Sequence, residues 1–170
     1  MNDLILLAAL LPGPSYGYAL KRQVGLILGT GEMHNNLVYP LLRGFLRRGW
    51  VAQSTAPGER GQQRKRYRLT AAGRAEVLRR LAQFDEKAAA QPSAFLFRVA
   101  LFDILDAPAR RKILDLRAAH LARTLERLST VERESKPVGY ARRVLDFKLT
   151  LLRNELRWAR NLQKDLKGRR

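Results

Sequence analysis

Residues 35–50, with the sequence NNLVYPLLRGFLRRGW, contain the side chains best suited to recognising another molecule. Asparagine amides can pair bidentately with adenine, and tyrosine and arginine can reach phosphate oxygens. Asn35, Asn36, Tyr39 and Arg43 therefore form a candidate set of DNA contacts. The alternative interpretation is that the asparagines only cap an ordinary amphipathic helix, because asparagine is a preferred N-cap residue. The sequence leaves both interpretations open.

A helix over residues 36–48 would position these side chains. Asn36 suits its start, Pro40 is tolerated only near a helix start, and Gly49 fits the positive φ at its end. The apolar residues at helical spacing predict one buried face, formed by Leu37, Leu41, Leu42 and Phe45.

Two short strands, over residues 50–54 and 65–69, predict a hairpin directly after this helix. Its polar tip and second strand include Arg60, Arg64 and Lys65, which could follow a phosphate backbone. The alternative is a solvated loop that happens to be basic. Lys21, on the outer side of the second helix, is a further candidate for DNA contact.

The remaining elements of the first half are helices over residues 3–11, 16–28 and 71–90. Ser15 is the expected N-cap of the second, and Thr70 that of the fourth. The order helix, helix, turn, helix, hairpin, helix predicts one domain over residues 1–90. Pro92 marks its boundary with a second domain over residues 93–170.

The second domain is expected to be almost wholly helical, with helices over residues 94–105, 109–131 and 139–166. Apolar residues recur at alternating spacings of three and four on the two long helices, which is typical of a coiled-coil seam. The last helix carries a second apolar stripe, so a partner chain is expected to cover part of it. The predicted dimer interface consists of Leu145, Leu149, Leu152, Leu156 and Trp158. The alternative is packing within one chain.

Composition favours a polyanionic partner. The 170 residues include 33 lysines and arginines against 15 acidic residues, a net charge of +18. The alternative is a genome or habitat that favours arginine, which would raise the charge without any partner. The chain has no cysteine, and its only histidines are His34 and His120, so we expect no catalytic site, metal or cofactor. No stretch is apolar enough to span a bilayer, and a cytoplasmic protein is expected.

Four motifs, in this order and spacing, resemble the PadR family of bacterial transcriptional regulators. They are Gly13-Pro14 followed by Gly17-Tyr18, then Val38-Tyr39-Pro40-Leu41-Leu42-Arg43, Gly49-Trp50-Val51, and Arg66-Tyr67-Arg68-Leu69-Thr70-Ala71-Ala72-Gly73. The resemblance implies a mainly α fold: an N-terminal winged helix-turn-helix domain with a two-stranded β-wing, followed by an α-helical dimerisation domain.

The resemblance also implies a function. The expected protein is a homodimeric repressor that binds an inverted repeat in double-stranded DNA and is released by a small aromatic or lipophilic effector. The pocket for such an effector would be lined by Phe95, Phe97, Phe102 and Trp158, although plain core is the alternative for these rings. Two other hypotheses remain: a winged-helix module for protein interaction and a nonspecific nucleoid-type DNA binder.

Three positions depart from the family pattern. Tyr16 stands where the family usually has histidine, Leu37 where it has a small hydroxyl residue, and Gly44 where it has a basic or polar residue. Leu37 matters most, because this position faces DNA in the family. Either the chain contacts different bases, or Leu37 faces inward here.

Overall fold

The computed structural model describes residues 1–28, 35–57 and 63–168. The chain divides into two compact units, Met1–Leu81 and Ala82–Arg170. This division falls several residues before the predicted boundary, because the fourth helix ends at Ala82 instead of continuing to residue 90. Asp85 then begins a new helix, since its side chain accepts a hydrogen bond from the Ala88 N–H at 2.7 Å.

Four helices form the body of the first unit. They are α1 (Asn2–Ala8), α2 (Gly17–Leu28), α3 (Asn35–Arg47) and α4 (Ala71–Ala82). Their apolar faces meet in one core, which includes Leu20, Val24, Val38, Leu42, Phe45, Val77 and Leu81. The predicted order of helices is confirmed.

A three-stranded antiparallel sheet completes the first unit, in the order β1, β3, β2. Its strands are β1 (Ser15–Tyr16), β2 (Val51–Pro57) and β3 (Gln63–Leu69). The β2–β3 hairpin, called the wing below, was predicted. The third strand was not, and Ser15 begins a strand instead of capping α2. Two residues are too few to show a strand periodicity, and their partners lie some fifty positions further along the chain.

The start of α4 is fixed to the base of the wing. The Thr70 hydroxyl donates to the Gly49 carbonyl at 2.6 Å and accepts from the Gly73 N–H at 3.0 Å. A Cβ at Gly73 would lie 1.9 Å from the Trp50 carbonyl oxygen. Only glycine therefore allows this close approach of helix to strand.

The second unit is helical. It contains α5 (Glu86–Ala89), α6 (Pro92–Val99), a 3₁₀ turn (Phe102–Ile104), α7 (Ala107–Ser135) and α8 (Gly139–Gly168). The three residues that join α7 to α8 bring the long helices together as neighbours. The predicted fifth helix is shorter than expected and ends before the 3₁₀ turn.

Three residues of the predicted dimer interface are covered within one chain. Leu145, Leu149 and Leu156 are buried within one chain, with exposed fractions of 8%, 2% and 8%. They belong to the layer between α7 and α8, and Leu152 is half-buried. The last helix also exposes a line of apolar side chains that shares only Trp158 with the predicted interface. It is called the exposed stripe below and consists of Tyr140, Val144, Phe147, Leu151 and Trp158.

Arg117 of α7 is buried in the same layer. Its guanidinium donates to both carboxylate oxygens of Glu155, at 2.8 and 2.7 Å, and to the Ala89 carbonyl at 2.6 Å. The guanidinium carbon also lies 5.6 Å from the centre of the Phe95 ring. These contacts satisfy a charge that would otherwise be costly to bury, and they tie α5, α6, α7 and α8 together.

Candidate nucleic-acid interface

Helix α3 has a buried side and an exposed side. Val38, Leu42 and Phe45, spaced by four and three residues, are almost completely buried. The opposite side exposes Asn36, Tyr39, Pro40, Arg43 and Arg47. The helix thus presents one amide, one phenol and two guanidinium groups to solvent, a set that can contact base edges and phosphates.

Gly17 and Tyr39 hold α2 and α3 close together. A Cβ at position 17 would lie 3.0 Å from Cε1 of Tyr39 and 3.4 Å from its hydroxyl oxygen. The Tyr39 ring can therefore pack directly on the backbone of Gly17 because this residue has no side chain. The ring remains partly accessible, with an exposed fraction of 39%.

A cavity of about 370 Å³ lies beside α3, within the first unit. Its walls combine aromatic and basic side chains from α2, α3 and the sheet: Tyr16, Tyr18, Tyr39, Tyr67, Arg43, Arg64 and Lys65, together with Gly17, Leu46 and Gln53. The Tyr16 and Tyr18 rings stack at 6.0 Å, and the Arg64 guanidinium lies 5.9 Å from the centre of the Tyr18 ring. The wing and α3 therefore share one concave, cation-rich surface.

The carboxylates of the first unit lie elsewhere. Within its described residues they are Asp3 and Glu76. Asp3 pairs with Arg80 at 2.7 Å, and Glu76 pairs with Arg79 through two hydrogen bonds of 2.7 and 2.8 Å. Burial raises the pKa of Asp3, but Arg80 and the Leu4 N–H outweigh it and the net pKa is lowered. The hydrogen bond from Arg79 lowers the pKa of Glu76. Both remain anionic at neutral pH and offset charges on α4.

Tyr67, which is buried, lines the cavity in its protonated form. Burial raises the pKa of Tyr67, and the neighbouring Tyr39 raises it further, against a lowering by Arg43. Its hydroxyl is therefore a hydrogen-bond donor at neutral pH.

The structure brings together Tyr39, Arg43, Arg64 and Lys65 of the predicted contact set around the cavity. Asn36 is exposed about two turns before Arg43 on α3. Lys21 is half-buried on α2, outside the cavity lining. Arg60 and the side chain of Asn35 lie outside the described residues. Sequence analysis missed Tyr16, Tyr18 and Gln53 as neighbours of this set, although the Gly17-Tyr18 pair was a usable signal.

Leu37 faces the opposite way from the predicted one. It was assigned to the buried face, but its exposed fraction is 38%. Leu42 and Phe45 of the predicted face are buried and Leu41 is half-buried, but Val38 is buried in place of Leu37. Two adjacent apolar residues, Leu37 and Val38, made the phase ambiguous in the sequence.

The predicted effector pocket contains one ring that is part of the core. Phe95 is completely buried, and its ring meets that of Trp158 edge-on at 5.9 Å. Phe97 and Phe102 are half-buried, and Trp158 is exposed. Phe95 thus packs between Trp158 and Arg117, as the alternative of plain core predicted for it.

Similarity to known proteins identifies the family. Residues 6–79 match the family described as the transcriptional regulator PadR-like family. A PadR family transcriptional regulator from Eggerthella lenta is 31% identical over 48% of this chain and 69% of its own, with a TM-score of 0.42. The chain belongs to the PadR-like family. The resemblance identified from the sequence motifs is thereby confirmed, and the matched segment of this PadR-like regulator includes α2, α3 and the wing.

Two other solved structures are similar to this PadR-like chain. Bacillus subtilis PadR in complex with operator DNA is 17% identical over 96% of this chain and 98% of its own, with a TM-score of 0.45. A transcriptional regulator from Clostridium thermocellum is 23% identical over 46% and 76%, with a TM-score of 0.42. No curated protein matches the chain.

Two further findings concern the described parts of the PadR-like chain, residues 1–28, 35–57 and 63–168. None of their helices is both long and apolar enough to cross a membrane. Their histidine and carboxylate side chains form no group of three or more that could hold a metal ion.

Proposed function

We propose that this PadR-like regulator is a homodimeric repressor that inserts α3 into the major groove of DNA at an inverted repeat. The observation that carries the proposal is one continuous cation-rich surface. On it Tyr39 and Arg43 of α3 share a cavity with Arg64 and Lys65 of the wing. The described carboxylates of the unit, Asp3 and Glu76, are paired with arginines of α4, so they do not repel a polyanion at this surface.

Each side chain has a distinct role in this proposal. Asn36, exposed in the first turn of α3, contacts a base edge, and Asn35 is assigned to the same task. Tyr39 from the second turn and Arg43 from the third turn contact phosphates or bases. Arg64 and Lys65, with Arg60 and Lys21 as further contacts, follow the phosphate backbone.

The exposed stripe is the proposed dimer contact, in place of the leucines buried under α7. Its residues follow spacings of four, three, four and seven, the repeat that a second long helix can cover. From Tyr140 to Trp158 the stripe is roughly 27 Å long, at about 1.5 Å per residue. A second copy of α8 supplies the same apolar line, and a two-fold axis makes the contact mutual. Such a dimer presents two copies of α3 to half-sites about 34 Å apart.

An aromatic or lipophilic effector is proposed to act at Trp158. This residue belongs to the exposed stripe and also packs against the buried Phe95. A ligand that displaces the indole would therefore alter the surface used for pairing. Phe97 and Phe102, which are half-buried, are assigned to the same pocket. We place the action of the regulator in the bacterial cytoplasm, where the DNA lies, and assign it no catalytic step.

The proposal is tested by incubating the full chain with a random DNA pool at two salt concentrations and sequencing the retained fraction. We expect an enriched inverted repeat, bound at least ~10³-fold more tightly than random DNA. Retention without enrichment would support the nonspecific binder instead. The absence of retention at both salt concentrations would overturn DNA binding and favour the protein-interaction module.

The contribution of the wing is tested by the salt dependence of affinity for the selected DNA. Replacing Arg64 and Lys65 by alanine removes two proposed phosphate contacts, so the slope of log K against log salt should fall by about 1.8. The matched control replaces Arg133 and Lys136, two exposed cations of the second unit, by alanine. An equal change of slope in both variants would show that only net charge matters.

A further inference from the structure

One edge of α3 carries no hydrogen-bonding side chain. Leu37, Pro40 and Gly44 are spaced by three and four residues, which places them on one line along the helix. Leu37 is 38% exposed, and Pro40 is exposed. We call these three residues the apolar edge of α3. Tyr39 and Arg43, at the cavity, lie on the other side of the same exposed face.

The contacts of the described residues leave part of this edge exposed. Val38, Leu42 and Phe45 are almost completely buried, whereas Leu37 keeps 38% of its surface exposed. A Cβ at Gly44 would meet only the Nη1 atom of Arg48, at 3.8 Å, which is ordinary contact. Glycine weakens a helix interior, and no close contact among the described residues requires it at position 44. The apolar edge of α3 is therefore available for contact with another molecule.

The chemistry of the major groove supplies one apolar group, the C5 methyl of thymine. Leu37 directly follows Asn36, whose amide suits adenine, the base that pairs with thymine. We propose that Leu37 is a specificity-determining residue that contacts a thymine C5 methyl, and that the bare backbone at Gly44 lets the wall of the groove approach. This inference rests on the proposed function, since it requires α3 to lie in the groove.

The test removes single methyl groups from the DNA. In the inverted repeat selected by the full chain, each thymine is replaced in turn by deoxyuridine, in both half-sites together. Base pairing is unchanged, and only the C5 methyl is lost. We expect one thymine position at which wild-type affinity falls about 4-fold per half-site, the effect of uncovering one methyl group.

The same DNA series is then bound to Leu37→Ala. We expect this variant to bind the thymine DNA more weakly and to lose its sensitivity at that position. Leu96→Ala, which shortens a leucine of comparable exposure in the second unit, should keep the wild-type pattern. Circular dichroism checks that all three proteins are folded, which is expected because Leu37 lies outside the core.

Three results would overturn the inference. The first is a wild-type protein indifferent to every thymine methyl. The second is a Leu37→Ala variant as sensitive as wild type at the same thymine, because another residue would then contact the methyl. The third is the absence of any enriched sequence in the pool. The third removes the proposed function as well, whereas the first two leave it intact.

Discussion

The Tyr39 ring packs against the backbone of Gly17, so closely that a Cβ at position 17 would lie 3.0 Å from its Cε1 atom. Gly17→Ala should therefore push the ring outward and shift a proposed DNA contact. We expect affinity for the selected operator to fall about tenfold while the protein stays folded. The measurement is fluorescence anisotropy with labelled operator. Tyr39→Phe, which keeps the ring in place but removes its hydroxyl, separates loss of the hydrogen bond from displacement of the ring, and Gly17→Ala should weaken binding at least as much. Equal affinities of Gly17→Ala and wild type would contradict this role of Gly17.

Two glycines in helices of the first unit should respond to alanine with opposite signs. At Gly73 the new Cβ would collide with the Trp50 carbonyl oxygen, so Gly73→Ala should lower the free energy of unfolding by ~1–3 kcal/mol or more. At Gly44 the Cβ has room, so Gly44→Ala should raise it by about 1 kcal/mol through helix propensity.

Urea unfolding followed by circular dichroism measures both effects, with each glycine acting as the control for the other. Operator binding adds a second test. Gly44→Ala should bind DNA more weakly despite its greater stability, because the added methyl faces the groove. A Gly44→Ala protein that is both more stable and a better DNA binder would contradict the proposed approach of DNA at this position.

Neighbouring leucines of α8 should separate dimerisation from folding. Leu151 is 51% exposed and belongs to the exposed stripe, whereas Leu149 is 2% exposed and lies under α7. Leu151→Glu, combined with Phe147→Glu, should halve the mass in sedimentation equilibrium while helicity persists. Leu149→Ala should cost ~2–5 kcal/mol of stability and leave the mass of the folded protein unchanged. A dimer that survives both glutamates would show that the stripe is not the dimer contact.

His120 should make the stability of the second unit depend on pH. Burial lowers the pKa of His120, and the charges of Arg117, Arg123 and Arg127 lower it further, against a raising by Glu155. The unfolded chain therefore binds the proton more readily, at a pKa of about 6.5. The stability contributed by keeping His120 neutral is complete above that pH and is lost as the pH falls through the lower pKa of the folded state.

The comparison is between thermal unfolding of wild type and His120→Gln from pH 8 to pH 5. The wild type should lose more stability on acidification than the variant. Identical pH profiles would show that His120 is equally easy to protonate in both states.

The sequence predicted the order of the elements well, because strong local signals mark them. Gly13-Pro14, Gly49 and Pro92 end or separate helices, and Thr70 caps α4 as expected. The break at Asp85 was missed, since the apolar pattern of α4 continues to Phe84, which is buried. Helix propensity alone does not show that α4 ends and that the Asp85 carboxylate caps a new helix, α5.

The sequence could not decide which apolar stripe of α8 faces α7. Leu145 and Leu149 lie on one stripe, Phe147 and Leu151 on the other, and both stripes have the same repeat. The choice depends on tertiary contacts such as the bidentate pair between Arg117 and Glu155, which fixes the rotation of α8 against α7. An arginine within a leucine pattern is normally predicted to be exposed, so the contact between Arg117 and Glu155 was not predicted.

The candidate interface was predictable in its residues and less so in its geometry. Tyr39, Arg43, Arg64 and Lys65 were chosen by type, and the structure places all four around one cavity. The contribution of Tyr16 and Tyr18 depends on the pairing of β1 with β3, which joins distant parts of the chain. The orientation of Leu37 depends on a helical phase that two adjacent apolar residues leave ambiguous.

The most direct test of the central claim uses the absence of cysteine from the chain. A single cysteine introduced as Asn36→Cys is labelled with an iron chelate that cleaves nearby DNA, and the cleavage sites on the selected operator are mapped. Ala75→Cys, an exposed position on α4 outside the proposed interface, is the control. Our account predicts cuts within each half-site, about 10 base pairs apart, from position 36 only. Operator DNA left intact by the position 36 label, or cut equally from position 75, would contradict the insertion of α3 into the major groove.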